Sequence, residues 1–303
     1  MSLALPAFEV GDRELKILRA LARYRFLSQS QLARIDGGSA QHLSRRLHLM
    51  ALHGLVVEPA TETARLRLVT MPRVFALAKA GADLLVAQDG VSPDRRALKK
   101  KNAKATTDLV AHTLDIAETM LAFELHAAHR GMPLIDYQDL FRHFPEATRT
   151  APNPMAITLS KVSRNDVPRS AVPDRIFSLQ DSATTRVNFV LEQDTGHMPV
   201  RRKKLTGTSS IAKKVFVYWN AWHTEEHVRR WGFQRFRVLF VTRAEARITT
   251  MIDRTLEITG KPSGLFLFTT LAQLANEGPF APIWVNLRRA QVSLLASDLE
   301  AAG

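Results

Sequence analysis

The sequence predicts an α/β protein, α+β overall, made of two domains joined by a basic linker. Three observations carry this expectation. Residues 1–90 hold three helical apolar stripes followed by short β-like runs. The stretch 90–108 contains a proline and six cations and nearly lacks large apolar residues. From 111 to 303, one long amphipathic segment gives way to apolar runs that alternate with helical spacing, as in a mixed sheet. The expected division is therefore 1–90, a linker at 91–110, and 111–303.

Composition narrows the function classes. With 46% apolar and 23% charged residues, the 303-residue chain can bury a sizeable core. No run approaches the ~18 apolar residues that a spanning helix needs, so no membrane insertion is expected. The opening MSLALPAFEVGDREL lacks the basic and apolar regions of a signal peptide. Cysteine is absent, which excludes disulfides and thiolate metal sites and agrees with a reducing cytoplasm as the expected location. The net charge of +13 is unevenly placed: residues 91–110 carry six Lys or Arg against two acids, and residues 201–237 carry ten against two. Cations concentrated in this way favour a polyanion, because each phosphate contact releases counterions. Nucleic acid is the expected partner.

In the first domain, DRELKILRALAR (12–23) places Leu15, Ile17, Leu18 and Leu21 on one helical stripe, with Asp12 as the expected N-cap. FLSQSQLARIDGG offers Ser28 as N-cap of a short helix that Gly37 and Gly38 stop. SAQHLSRRLHLMALHG (39–54) has Leu43, Leu47 and Met50 as its apolar face and Gly54 at its end. VVEPATETARLRLVT reads as two short β runs around a polar middle, and FALAKAGADLL returns to helical spacing. Three helices, a two-stranded wing and a closing helix spell a winged helix-turn-helix. Its third helix would enter the major groove with Ser39, Gln41, His42, Arg45 and Arg46 near base edges. A generic helical packing module, or a winged helix used only to bind protein, is the rival reading.

The second domain opens on HTLDIAETMLAFELHAAHRG (112–131), a helix ending at Gly131. FRVLFVT, GLFLFTT and APIWVNL are expected strands, separated by helices at RAEARITTMIDRTLEI and LAQLAN. Within NFVLEQDTGHMPVRRKK, Glu192 and Asp194 lie two apart and so project from the same side of a strand. Asp174, in AVPDRIFSL, stands at the start of another strand. Three carboxylates converging at a sheet edge suit Mg²⁺ or Mn²⁺, hard cations that take oxygen ligands and retain water. Such an ion could stabilise charge on a scissile phosphate and activate a water. Arg201, Arg202, Lys203 and Lys204 would hold the polyanion over it, and Lys213 and Lys214 follow in the chain.

This pattern resembles the PD-(D/E)xK nuclease core, of αβββαβ topology, here as Pro173-Asp174 and Glu192-Gln193-Asp194. The pattern's lysine stands two residues after the second acid, where this chain has Asp194. In branches where the lysine migrates to the next helix, Lys214 is its substitute, with Lys213 second. The whole chain is similar to the replication-relaxation proteins of plasmids and integrated conjugative elements, through "SRRLHLMALHGLV", "HTLDIAE", "VPDRIF", "FVLEQDTG", Lys214 four residues before Tyr218, "RVLFVT" and "LFLFTT…PIWVNL". Mobilisation relaxases of similar build nick DNA at an origin of transfer. The resemblance implies Asp174 and Glu192 as metal ligands, Asp194 as a third ligand or outer carboxylate, and Lys214 as the stabiliser of phosphorane charge. It also leaves open Glu118 or Glu124 as another ligand or a solvated helix residue, His112 as a contact to metal or DNA or a structural hydrogen-bonder, and Tyr218 as a covalent nucleophile or a core or substrate-stacking tyrosine. Trp219, Trp222 and Trp231 stack on unpaired bases or pack against the sheet. The expected partner is DNA, double-stranded or partly single-stranded, and a homodimer is among the assemblies this reading allows.

Two rivals complete the reading. HTEEH (223–227) matches the H-x-x-E-H zinc peptidase motif, but five residues match easily by chance and leave the basic stretches unexplained. The other is a replication initiator or transcriptional regulator that binds DNA and uses a degenerate nuclease fold without catalysis.

Overall fold

The computed structural model describes residues 8–59, 73–90, 102, 105–159, 170–180, 186–196 and 211–294. The protein is a mixed α+β chain that divides into two compact units, Met1–Leu121 and Ala122–Gly303. Among the described residues no helix is long and apolar enough to cross a membrane.

The first unit runs α1 (Asp12–Tyr24), β1 (Phe26–Ser28), α2 (Gln29–Asp36), α3 (Ala40–Leu52), β2 (Val56–Val57), β3 (Val74–Leu77) and α4 (Lys79–Asp89), then the start of α5 (Thr107–His129). Its three strands pair antiparallel in the order β1-β3-β2. Ile17, Leu18, Leu21, Leu43, Leu47, Met50 and Phe75 are fully buried, so the stripes on α1 and α3 are the core-facing ones. Local chemistry sets the ends. Ser28 caps α2 by accepting from Gln31 N at 3.2 Å, while the Gln31 side chain accepts from Ser28 N at 3.0 Å. After α3, Leu55 N donates to Met50 O and Gly54 N to Ala51 O, with Gly54 at φ +65°, a double closure that suits glycine's freedom. The side chain of Gln31 and the guanidinium of Arg34 on α2 both donate to Glu118 on α5.

Several local expectations need correction. The N-cap of α1 is Gly11, whose N–H donates to Glu14 Oε2 at 2.9 Å; Asp12 is the first helical residue. FALAKAGADLL is not helical throughout. Val74–Leu77 is the central strand, buried on both faces and paired on both edges, and the helix starts at Lys79. Four consecutive apolar residues read equally well as buried strand or helix, and pairing with β1, itself missed in the sequence, decides it. The expected RLRLVT strand falls outside the described residues. The α1–α2–α3 order followed by β2 and β3 is compatible with the expected winged helix.

The second unit continues from α5 through β4 (Leu134–Asp136), α6 (Tyr137–Arg142), α7 (Glu146–Arg149), β5 (Ile157–Thr158), β6 (Ser170–Ala171), β7 (Arg175–Gln180) and β8 (Arg186–Asp194). Then come α8 (Ile211–His223), α9 (Glu226–Trp231), β9 (Arg237–Thr242), α10 (Glu245–Thr259), β10 (Phe266–Thr270), α11 (Leu271–Glu277), β11 (Trp284–Val285) and β12 (Gln291–Val292). Seven strands form one sheet in the order β12-β11-β10-β9-β8-β7-β4. β4, β7 and β8 pair antiparallel, β8, β9 and β10 parallel, and β11 and β12 antiparallel. The order helix, three antiparallel strands, helix and a parallel strand is compatible with an αβββαβ core. β12 is an addition to the expected strands.

Alternation along β8 divides the sheet's two faces. Val190 packs in one core with Val215 and Tyr218 of α8, Phe240 of β9 and Met251 of α10. On the opposite face Phe189 stacks on Phe177, which in turn meets Phe123 of α5 at 4.8 Å between centroids. Glu192 and Asp194 continue the Val190 row, so they emerge on the side covered by α8 and α10.

Candidate functional site

Asp174 lies where the chain turns into β7. Its backbone N–H donates to Leu191 O at 3.1 Å, and its Oδ2 accepts from Gln193 N at 2.8 Å. The proline before it and these two bonds fix the carboxylate against the end of β8. Glu192, two residues after Val190, is 1% exposed. Lys214 reaches it from the first turn of α8: its ammonium donates to Glu192 Oε2 and stands 3.6 Å from Asp174 Oδ2. One helical turn later, the Tyr218 hydroxyl donates to Glu192 Oε1. Three elements distant in sequence thus place two carboxylates, one ammonium and one phenol together.

The group is buried, and that governs its charge. Burial drives the Glu192 carboxyl up to about 8; Asp174 beside it pushes the same way, and Lys214 and Tyr218 only partly offset them. Burial alone would pull the Lys214 ammonium down, but Glu192 and Asp174 outweigh it and hold Lys214 above its ordinary range. Both directions are consistent if the group retains one extra proton. Two carboxyls and one ammonium then carry no net charge, the form a low-dielectric site prefers. Burial, and then Glu192, raise the Tyr218 phenol well above its usual value.

Asp194 has other partners than the expected third-ligand role would give it. Arg247, in the first turn of α10, grips it with two bonds, Nε to Oδ2 at 2.6 Å and Nη2 to Oδ1 at 2.9 Å. Thr242 Oγ1, opposite it on β9, donates to Oδ2 at 2.8 Å. Among the described residues no three His, Cys, Asp or Glu side chains group as a metal site would. A buried strand aspartate needs a cation, and the chain supplies it 53 positions later. Only the position of RAEAR, right after a strand, could have hinted at it.

The remaining candidates separate clearly. Ser39, Gln41, His42 and Arg45 are exposed at the start of α3. Arg46 departs from the expected groove-facing role: it is half-buried, donates to Glu14 at 2.7 Å and to Glu9 O at 2.8 Å, and covers the Phe8 ring. Arg201, Arg202, Lys203 and Lys204 lie outside the described residues. Glu118 is engaged by Gln31 and Arg34 within the first unit. Glu124, His112 and Lys213 are half-buried. Trp231 is buried against Phe233 and Phe236, and Trp222 stacks on His227, so these rings pack. His227 faces Ala221 O and Gln234 O with its two ring nitrogens, and His223 faces Trp219 O. HTEEH is therefore no zinc pair.

The donor set of Asp174 and Glu192 fits a hard divalent cation that keeps several waters, since Mg²⁺ sites commonly use one or two carboxylates plus substrate phosphate. Once a bound cation has displaced the extra proton, each Glu192 oxygen would accept one hydrogen bond, from Lys214 or Tyr218, and keep a lone pair for coordination.

No curated protein and no solved structure matches the chain. The family model described as Replication-relaxation matches residues 18–235, which include α3, Asp174, Glu192, Lys214 and Tyr218. The chain belongs to the replication-relaxation family.

Proposed function

We propose that this is a DNA-binding protein of plasmid or conjugative-element replication or mobilisation, with a winged helix in its first unit and a PD-(D/E)xK-like centre in its second that nicks DNA with Mg²⁺ or Mn²⁺. One observation carries the reading: Asp174, Glu192 and Lys214 come together although the lysine stands on a helix and not on the strand. Asp174 and Glu192 would hold the cation, which supplies Lewis-acid stabilisation of a phosphoryl oxygen and a more acidic water. Lys214 stays protonated beside two carboxyls. It therefore neutralises charge developing on the phosphate and does not serve as a base. Tyr218, fully buried and bonded to Glu192, orients that carboxylate; a nucleophile would need its oxygen exposed. Ser39, Gln41, His42 and Arg45 present the base-reading edge.

A second reading rests on the burial of Glu192. A carboxyl 1% exposed and bonded through both oxygens also describes a structural ion cluster in a DNA-binding initiator or regulator. A supercoiled plasmid carrying the DNA that flanks the protein's own gene decides between them, with Mg²⁺ and Mn²⁺ titrated calorimetrically in parallel. Saturable cation binding and nicking, both lost in Asp174→Ala/Glu192→Ala while DNA affinity persists, is the expected result. Neither binding nor nicking in a folded wild type would leave the non-catalytic reading.

A further inference from the structure

We infer that Arg247 binds a phosphate of the DNA strand lying over the Asp174–Glu192–Lys214 group, with Asp194 as the side chain that positions it. This rests on the reading that DNA occupies that face. Asp194 and Thr242 are the last residues of β8 and β9, so the pair stands where both strands end. Asp194 follows Glu192 by two residues on the same face, about 6.6 Å along a strand that rises about 3.3 Å per residue.

The two partners are unequally covered. The Asp194 side chain is 3% exposed, whereas the Arg247 side chain keeps 23%. A pair built only to tie α10 to the sheet gains little, since desolvating two charges offsets much of their attraction. The geometry here does something else as well. Two bonds from one edge of the guanidinium, with Thr242 fixing the carboxylate, hold a planar cation in one orientation. An arginine so fixed loses little further entropy on meeting a phosphate. The Lys214 side chain, by contrast, is 9% exposed and lies between Glu192 and Asp174. Arg247 is the more accessible cation of the two, placed to take the phosphate beside the one Lys214 serves.

The test is the salt dependence of DNA binding, measured in EDTA by fluorescence anisotropy with a labelled duplex of the flanking DNA. Each protein–phosphate contact contributes about 0.9 to the magnitude of the slope of log K against log salt. Arg247→Gln is expected to lower that magnitude by about 0.9, and Arg247→Lys to restore most of it. Arg254→Gln, which removes another cation from α10, is expected to leave it unchanged. If Arg247→Gln does not fold, Asp194→Asn/Arg247→Gln removes both charges together and should show the same loss. A folded variant that loses thermal stability but keeps the wild-type slope would overturn the assignment and leave Arg247 a structural tie. Because the readout needs neither metal nor cleavage, absence of nicking refutes the nuclease reading without deciding this one.

Discussion

Glu192 shows how burial turns one side chain into a pH-dependent element of the fold. An unfolded glutamate releases its proton near 4.5, whereas the folded carboxyl, surrounded by Asp174, Lys214 and Tyr218, retains its proton to about 8. Between those values the native state binds more protons than the unfolded state, so stability must fall as pH rises. Glu14 and Asp36 titrate elsewhere. Burial pushes Glu14 up, but Arg46 and Gly11 N outweigh it, and Arg13 lowers Asp36, so both contributions are lost on the acid side as pH falls. Glu192→Gln removes the titration while keeping the shape. Urea midpoints of wild type should therefore decline from about pH 5 to about pH 8 relative to the variant. Parallel profiles would mean that Glu192 is ionised throughout. At this scale, what the sequence disclosed depended on distance along the chain. Glu192 and Asp194 were legible as same-face acids because strand alternation is local, and Lys214 because it opens the next helix. The capture of Asp194 by Arg247, and of Arg46 by Glu14, was not, since each pair forms only when distant elements pack.

Elements were legible where their periodicity was long and their caps were strong. α1, α3 and α10 carry stripes that only one face can bury, and Ser28 with Gln31 writes its own helix start. Short apolar segments such as Val74–Leu77 were ambiguous because four buried residues have no distinguishing period, and β1 and β12 are too short to show one. Gly81 tests the packing that resolves this ambiguity. It lies in the first turn of α4, where an added Cβ would stand 2.2 Å from Leu55 O and 3.0 Å from side-chain carbons of Leu18 and Leu77. Alanine gains about 1 kcal/mol of helix propensity over glycine, but the obstructing atom is a backbone carbonyl that already accepts from Ala78 N. Overpacking of this kind costs about 1–3 kcal/mol, so Gly81→Ala should be destabilising on balance in urea unfolding. A stabilised variant would show that α4 shifts away from the α3–β2 turn at little cost.

Across the whole molecule, the residues of the proposed function divide between two units: α3 in the first offers exposed groups, and the second gathers the buried acids with Lys214. On the proposed reading, a net charge of +13 would supply affinity for any DNA, because counterion release does not depend on sequence. Discrimination must then come from direct contacts, for which Gln41 and Arg45 have suitable chemistry: glutamine pairs with adenine and arginine with guanine in the major groove. Gln41→Ala/Arg45→Ala is therefore expected to reduce preference for the flanking duplex over a shuffled duplex. Each lost base contact should cost about 1–3 kcal/mol, roughly 5- to 150-fold. Affinity for the shuffled duplex should change far less, since only one of many cations is removed. Glu192→Gln, which touches the other unit, should leave the preference intact. Competition binding at fixed salt measures all three. Unchanged preference in the double variant would remove base reading from α3 and move it to residues outside this helix; loss of preference in Glu192→Gln would place recognition in the second unit.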